Sequence, residues 1–286
     1  MKQITILSGK GGTGKTTITA SFAVLAKNAV VADCDVDAPD LHILLHPQII
    51  ENIVFKGSKL AVIDKTECTN CELCREKCRS KAIKKDISVD SSACEGCGVC
   101  TIICPTNAIT LVDRTSGHAY ISRTEHGFMA HALLSPGEAN SGKLVTVVRQ
   151  NAKKLAEREH CDLVIIDGPP GIGCPVIASV AGVTAGLVVT EPTMSGIHDL
   201  KRALQLLRHF SIRPLVCINM YDINRENSYR IENFCKESNI EILGRLPYNQ
   251  VVTEAMVNRK PVVEYAPRSD VAREIAKTWE KTLSSL

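Results

Sequence analysis

ITILSGKGGTGKTT, residues 4–17, is the stretch of sequence that decides the fold. Its first part, Ile4 to Ser8, predicts a buried strand, and the glycine-rich remainder satisfies the pattern G-x-x-x-x-G-K-[ST] between a strand and a helix. Glycines allow backbone N–H groups to face phosphate groups, and the amino end of the following helix adds positive potential. The motif therefore predicts a P-loop that binds the phosphates of a nucleotide.

Each residue type in this loop has an expected task. Lys15 is expected to hold the β and γ phosphates of ATP, and Thr16 to bind Mg²⁺ through its hydroxyl. The predicted nucleotide-binding residues of the loop are Gly11, Gly12, Thr13, Gly14, Lys15, Thr16 and Thr17.

Carboxylates follow two further predicted strands. The apolar residues 29–32 end in Asp33-Cys34-Asp35, and residues 163–166 end in Asp167, followed by Gly-Pro-Pro-Gly. Because α/β sheets bind ligands at the carboxyl ends of their strands, we expect these carboxylates to lie at the nucleotide. Asp167 has the position of a Walker B acid and is the expected Mg²⁺ residue.

The loop sequence KGGTGKTT resembles the deviant Walker A motif of MinD, ParA, Mrp-type and nitrogenase iron protein ATPases, the SIMIBI class. In that group the residue equivalent to Lys10 reaches the partner's nucleotide, so the resemblance implies a homodimer that sandwiches ATP. It also implies that Asp35 positions or activates the attacking water, that Asp33 holds the metal's water shell, and that Asn219 and Pro247 contact adenine. Alternatively, Lys10 is a solvated loop lysine, and Asn219 and Pro247 are ordinary turn residues.

Eight of the 13 cysteines form two runs with the same spacing, C-x2-C-x2-C-x3-C, and each cysteine of the second run follows its counterpart in the first at one constant offset. This spacing is typical of proteins that bind two [4Fe–4S] clusters, in which the fourth cysteine of each run binds the other cluster. The predicted ligands of cluster one are Cys68, Cys71, Cys74 and Cys104. The predicted ligands of cluster two are Cys94, Cys97, Cys100 and Cys78.

The repeat extends beyond the cysteines, since Ala82-Ile83 and Ala108-Ile109 are separated by the same offset and predict an apolar pair behind each cluster. A structural zinc site is the alternative, but zinc sites usually pair two C-x2-C segments across a longer gap. The halves differ in one respect, because Pro105 follows the last cysteine of the second run and Arg79 that of the first.

The remaining chain alternates predicted strands and helices, which indicates a parallel sheet with crossover helices. We therefore predict an α/β P-loop NTPase fold, with a mostly parallel sheet flanked by helices, formed by residues 1–56 and 113–286. Residues 57–112 are predicted to be an inserted α+β, bacterial-type 2[4Fe–4S] ferredoxin domain. This organisation resembles that of MinD-like ATPases with an inserted ferredoxin domain.

Composition limits the possible partners. The formal net charge is +3 and only 4% of the 286 residues are aromatic, so we expect no nucleic-acid partner. No apolar run is long enough to span a membrane, and no signal peptide is visible, so we expect no membrane association and a cytoplasmic location. Thiols stay reduced there, which favours metal binding over disulfides.

Five cysteines lie outside the two runs. Cys161, Cys217 and Cys235 have apolar neighbours and are expected to be packed thiols. Cys34 and Cys174 adjoin nucleotide-contacting segments. By resemblance to the nitrogenase iron protein, Cys174 of two subunits could bridge a shared cluster, while simple burial of both thiols is the alternative.

Three functions fit these features. The first is an ATPase that couples nucleotide-driven dimer switching to electron transfer through two [4Fe–4S] clusters, with an unknown redox partner protein. The second is an iron–sulfur cluster carrier or assembly ATPase of the Mrp kind. The third is a spatial organiser like MinD or ParA, which the sequence disfavours because it lacks a cationic amphipathic tail.

Overall fold

A computed structural model describes residues 1–138 and 141–286, and within these ranges the chain forms eleven strands and eleven helices. The strands are β1 (Lys2–Ser8), β2 (Ala29–Asp33), β3 (Gln48–Phe55), β4 (Ser58–Ile63), β5 (Ile109–Arg114), β6 (Gly117–Thr124), β7 (Gly127–Leu134), β8 (Leu163–Pro170), β9 (Ala185–Thr190), β10 (Arg213–Asn219) and β11 (Glu241–Leu246). The helices are α1 (Lys15–Leu25), α2 (Leu41–Leu45), α3 (Leu73–Glu76), α4 (Val99–Ile103), α5 (Ser141–Arg158), α6 (Cys174–Val180), α7 (Met194–His209), α8 (Arg225–Glu237), α9 (Val251–Val257), α10 (Val262–Tyr265) and α11 (Asp270–Ser285).

Nine strands form one sheet in the order β11-β10-β9-β1-β8-β2-β7-β6-β3. Every neighbouring pair from β11 through β7 is parallel. Parallel strands end at one edge, so the residues after β1, β2, β8, β9 and β10 converge there. The predicted α/β fold with a mostly parallel sheet flanked by helices is confirmed for this part of the chain.

Alternating side chains of β1 enter two different helix layers, as the twofold period of a strand requires. Ile4 and Ile6 are fully buried in a core that includes Phe22 of α1 and Trp279 of α11, whose ring centroids lie 4.9 Å apart. On the opposite face Thr5 donates a 2.8 Å hydrogen bond to the carbonyl of Ser179 in α6. Burial on both faces fixes the strand whose carboxyl end carries the P-loop.

Side-chain caps fix the starts of the helices behind the sheet. Thr193 precedes α7 and accepts a hydrogen bond from the Gly196 amide, and Ser269 precedes α11 and accepts one from Ala272. Such caps satisfy amide groups that have no partner within a helix.

The chain divides into two compact units. The first consists of residues 1–52, 119–133 and 141–286, and the second of residues 53–118 with the described part of 134–140. In the second unit β4 and β5 pair antiparallel, with Ser58 opposite Arg114 and Ile63 opposite Ile109. Among the described residues, no helix is both long and apolar enough to cross a bilayer.

Candidate functional site

The first turn of α1 lies against the end of β8. The Lys15 Nζ is 2.9 Å from the Asp167 Oδ1, and the two residues are only 6% and 1% exposed. Thr16 donates its hydroxyl to the Asp167 Oδ2 at 2.9 Å, and Thr19 donates to the Oδ1 at 2.8 Å. Three side chains of one helix therefore orient the predicted Walker B carboxylate.

Burial and neighbouring charges shift the protonation of this group of side chains. Burial by itself lowers the pKa of Lys15, but the attraction and hydrogen bond of Asp167 outweigh it, so the pKa is raised and the ammonium stays charged. Burial, reinforced by repulsion from Asp167, raises the pKa of Asp33 well above its usual range. Burial also raises the pKa of Asp35, against the attraction of Lys15.

Two polar atoms at this edge are buried without a hydrogen-bond partner among the described residues, namely the Asp33 Oδ2 and the Thr13 Oγ1. Buried oxygens without partners are costly, so they mark a place where a ligand can supply the missing interaction. Carboxylate and hydroxyl oxygens are the donors that Mg²⁺ prefers. The residues present thus fit the predicted magnesium site of Thr16, Asp33 and Asp167.

The loop between β1 and α1 depends on backbone conformations that favour glycine. Gly12 and Gly14 have φ angles of 81° and 87°, in the left-handed region. The Asn219 amide donates a 2.8 Å hydrogen bond to the Thr13 carbonyl, and a Cβ on Gly14 would lie 2.3 Å from the Asn219 Nδ2. Asn219 therefore positions the loop directly, and Gly14 leaves it the room to do so.

Lys10 points toward the start of α7. Its Nζ lies 2.6 Å from the Glu191 Oε1 and 3.0 Å from the Ser195 hydroxyl. Asp199 of the same helix packs so closely on the loop that a Cβ on Gly9 would lie 2.2 Å from its Cβ. Lys10 is thus held within its own chain in this conformation.

The remaining predicted nucleotide residues lie around this centre. The Thr17 hydroxyl is 3.9 Å from the Met256 sulfur, on the side of α9. Pro247 directly follows β11, beside the hydrogen bond from the Tyr221 amide to the Leu246 carbonyl. Gly11 has no heavy atom within 4 Å of the position that its Cβ would occupy. The structure brings Lys15, Thr16, Asp33, Asp35 and Asp167 together, whereas Thr17 and Pro247 lie to one side.

The second unit contains two small cavities, each lined by four cysteines. One cavity is lined by Cys68, Cys71, Cys74 and Cys104, and the other by Cys78, Cys94, Cys97 and Cys100. Each cavity therefore combines three cysteines of one run with the fourth of the other run. The apolar pairs Ala82-Ile83 and Ala108-Ile109 behind them are buried, as the repeat predicts.

The backbone repeats with the same offset as the cysteines. Three pairs of equivalent positions adopt positive φ in both halves: Asn70 and Gly96, Glu72 and Gly98, and Lys81 and Asn107. Positive φ is uncommon for residues other than glycine, so its recurrence at equivalent positions indicates one loop design used twice. Both halves therefore present their cysteines from the same chain path.

Hydrogen bonds to the fourth cysteine of each run also repeat. Cys78 lies 3.6 Å from the Ser80 hydroxyl, and Cys104 lies 3.7 Å from the Thr106 hydroxyl. Burial raises the pKa of each thiol, but bonds from these hydroxyls and from nearby amides outweigh it and lower the pKa of Cys78 and of Cys104. Donors that stabilise a thiolate favour iron ligation.

No group of three His, Cys, Asp or Glu side chains within residues 1–138 and 141–286 is arranged to hold a single metal ion. The four cysteines of a [4Fe–4S] cluster bind four different irons, which requires a wider spacing than one ion does. The four thiols lining each cavity are donors of the type that iron–sulfur clusters bind.

Among the other cysteines, Cys34, Cys217 and Cys235 are buried, Cys161 is half-buried and Cys174 is exposed. Burial raises the pKa of Cys34, of Cys217 to about 12 and of Cys235 to about 11. These three thiols are protonated at neutral pH, as packed thiols are. Cys174, at the first position of α6, is the accessible one.

The sequence matches the family model of the CobQ/CobB/MinD/ParA nucleotide binding domain over residues 4–262. The chain belongs to this family. The predicted resemblance to MinD and ParA is thereby confirmed, and the chain is an ATP-binding ATPase of MinD/ParA type.

Two of the proteins similar to this MinD/ParA-type ATPase match nearly its whole length, and a third matches less than half of it. Its fold is similar to that of the septum site-determining protein MinD of Pyrococcus horikoshii complexed with Mg-ADP, with a TM-score of 0.60 and 19% identity over 98% of this chain and 95% of that one. An uncharacterized protein of Methanocaldococcus jannaschii is 32% identical over 98% of this chain and 95% of its own length. An iron–sulfur cluster carrier protein of Aquifex aeolicus is 30% identical over 44% of this chain and 39% of its own length.

Sequence reasoning missed one residue of this MinD/ParA-type site. Thr19 contacts the Walker B acid although no motif includes it. The available signal was its position four residues after Lys15, which places both side chains on one face of a helix.

Proposed function

We propose that this ATPase couples nucleotide-driven switching of a homodimer to electron transfer through two [4Fe–4S] clusters. The observation that carries the proposal is that one chain combines the Lys15 and Asp167 site with two cavities, each lined by four cysteines. A cluster in each cavity would serve electron transfer, and the nucleotide site would control it.

At the nucleotide, the buried cation of Lys15 would neutralise charge on the β and γ phosphates. Mg²⁺ would be held by Thr16, Asp33 and Asp167 and would supply further charge neutralisation. Asp35, which lies at the same end of the sheet as Asp33 and Asp167, would position or activate the attacking water. Lys10 would add a second cation from the partner subunit during hydrolysis.

At the cysteine cavities, the predicted ligands would hold the clusters through four thiolates each, and a bound cluster supplies a centre that gains or loses single electrons. The chain's own contribution is to exclude water and to set the potential. The buried pairs Ala82-Ile83 and Ala108-Ile109 would exclude water, and the hydroxyls of Ser80 and Thr106 would stabilise charge on the sulfurs.

An iron–sulfur cluster carrier is the second candidate. It is favoured by the similarity over 44% of the chain to the carrier protein of Aquifex aeolicus, and by the exposure of Cys174. A carrier needs a cluster that it can release, which a pair of Cys174 residues across a dimer would hold. A MinD-like organiser is the third candidate, favoured by similarity of fold and of sequence to septum site-determining MinD proteins.

The testing experiment is an anaerobic redox titration of the reconstituted protein, followed by EPR, without nucleotide, with MgADP and with a non-hydrolysable MgATP analogue. We expect two clusters per chain and a potential or line shape that changes with the ATP analogue. Unchanged spectra would move the carrier function ahead, and a protein that binds no iron would leave only the organiser.

Two cysteine variants separate these functions. Cys71→Ser is expected to lose one cluster, whereas the matched variant Cys174→Ser, which replaces another exposed thiol, is expected to retain both. If Cys174→Ser removes iron and Cys71→Ser does not, the iron is held between two subunits at Cys174 and not in the cavities, which favours the carrier function over the electron-transfer proposal.

A further inference from the structure

The two halves of the cysteine-rich unit differ sharply in surface charge. Between Arg75 and Lys85 the chain carries six basic residues and one acidic residue. The equivalent stretch of the second half, from Thr101 to Leu111, carries no charged residue at all. Both halves adopt the same backbone conformation although only one of them is charged, so the fold of the loops does not require these charges.

The basic side chains of this stretch face solvent. Lys77, Arg79, Lys81, Lys84 and Lys85 are all exposed. Arg75 pairs with Glu72 and Lys84 with Asp90, but no ion pair joins the side chains of the other four to any residue that the structure describes. We name Lys77, Arg79, Lys81 and Lys85 the basic face.

Three residues of the basic face lie next to one predicted cluster ligand. Lys77 and Arg79 directly precede and follow Cys78, and the Lys81 amide donates to the Cys78 carbonyl at 3.1 Å. Cys78 lines the cavity that also contains Cys94, Cys97 and Cys100. Whatever binds this surface is therefore brought next to the second cavity.

We propose that the basic face is the docking site of an acidic electron-carrier protein. The proposal rests on the proposed electron-transfer function and adds the partner's class and its place of contact. Opposite charges speed the encounter of transient partners and orient them, and contact beside Cys78 shortens the path to the cluster. One electron would pass between the carrier and a cluster held in this cavity, so that one of the two would be oxidised and the other reduced, and no bond would form or break.

Nucleic acid fits this surface less well. Proteins that bind single strands stack the bases on aromatic rings, and no Phe, Tyr or Trp occurs between Lys56 and His118. Proteins that bind a lipid surface usually combine basic residues with a long amphipathic helix. The helices α3 and α4 contain only four and five residues, which is too short for this role.

The test measures binding of the reconstituted full-length protein to an acidic plant-type [2Fe–2S] ferredoxin and, as the opposite-charge probe, to a basic cytochrome c. We expect the ferredoxin to bind and its affinity to fall as salt rises from about 50 mM to about 500 mM. The triple variant K77E/R79E/K85E is expected to weaken ferredoxin binding roughly tenfold or more and to strengthen cytochrome c binding.

A matched control reverses three exposed lysines elsewhere, K27E/K154E/K281E, and so changes the net charge equally. We expect it to bind ferredoxin within about twofold of the wild type. Equal weakening in both triple variants would show that only net charge matters, and stronger binding of single-stranded RNA or anionic vesicles to the same face would assign it to another partner. Either result overturns the proposal, as does absence of ferredoxin binding.

Iron content and cluster absorbance are measured on every variant. If the wild type holds no clusters, the proposed function fails whatever the docking result. If both clusters are present and charge reversal changes nothing, only the docking proposal fails. Should K77E/R79E/K85E lose iron, the neutral variant K77Q/R79Q/K85Q gives the decisive binding measurement.

Discussion

Lys15 is the side chain that balances the buried charges of the nucleotide site. It is 6% exposed and pairs with Asp167, while Asp33 is fully buried nearby. Replacing it with alanine removes the cation that would contact the phosphates, and it leaves the carboxyl groups of Asp33 and Asp167 without their positively charged neighbour. We expect Lys15→Ala to weaken ATP binding by about a hundredfold or more, from the loss of about 3 kcal/mol of charged hydrogen bonding, as measured with a fluorescent ATP analogue.

The control for this prediction is Lys27→Ala, which removes an exposed lysine just after the same helix. It should bind ATP normally. Cluster absorbance should survive in both variants, because Lys15 belongs to the first unit and the cysteine runs to the second. Loss of cluster absorbance with Lys15→Ala would refute the expectation that the nucleotide site and the cysteine cavities bind their ligands independently. If that variant unfolds, Lys15→Arg retains the cation and allows the comparison.

At the residue scale, the sequence predicted those contacts that a local motif encodes. Lys15 and Thr16 follow from the loop pattern, and Asp167 from the apolar strand residues that precede it. The partner of Lys10 did not follow, because Glu191 is distant in the sequence and its pairing depends on how β9 enters α7. Contacts between distant positions require the sheet order, which residue patterns do not give.

Among the secondary-structure elements, β7 contains a histidine that is expected to make the stability of the sheet depend on pH. His131 is half-buried and lies 2.8 Å from the Ser122 hydroxyl of β6. Burial, with a smaller contribution from the charge of His42, lowers its pKa from 6.5 to about 4. The unfolded chain therefore takes up this proton at a higher pH than the folded chain does.

The direction in which pH changes the stability follows from this difference in proton uptake between the folded and the unfolded chain. Stability from neutral His131 is fully present above pH 6.5 and is lost as the pH falls toward 4. We expect the free energy of unfolding to drop by up to about 3 kcal/mol over that range in denaturant titrations. His131→Gln should reduce the drop, and His198→Gln, which replaces an exposed histidine, should not. Equal drops in all three proteins would exclude His131 as the cause.

The buried face of a helix is predictable where the hydrophobic period is long. In the sequence, the spacing of Val271, Ile275, Trp279 and Leu283 predicts one apolar stripe on the last helix, and in α11 the first three of these residues are buried. Leu283 is 46% exposed, so that part of the prediction is wrong, and Thr282 is buried instead. A spacing of four residues drifts around a helix with 3.6 residues per turn, and Thr282 satisfies its hydroxyl at the Thr278 carbonyl.

On the scale of the whole molecule, the overall net charge did not indicate the basic face. A net charge of +3 over 286 residues gave no reason to expect a local excess of basic side chains. The excess appears only when the two halves of the repeat are compared position by position. The grouping of three cysteines of each run with the fourth cysteine of the other run in one cavity, in contrast, was predictable from the sequence, because this spacing is typical of proteins that combine their cysteines in that way.

The conformation of Lys10 leads to a prediction about assembly. Its ion pair with Glu191 keeps it within its own chain, whereas the proposed dimer requires it at the partner's nucleotide. Dimer formation must then break this pair, and a half-exposed ion pair contributes up to about 1 kcal/mol. Each of the two subunits gives up such a pair, so Glu191→Gln should lower the protein concentration needed for dimerisation with a MgATP analogue by up to roughly thirtyfold. Lys10→Ala should bind the analogue and remain monomeric, and Glu237→Gln, which neutralises an exposed glutamate on α8, should match the wild type.

Sedimentation velocity measures the association of all four proteins. Normal dimers of Lys10→Ala would contradict the role of this lysine across the interface, and weaker dimers of Glu191→Gln would mean that Glu191 supports the dimer instead of competing with it.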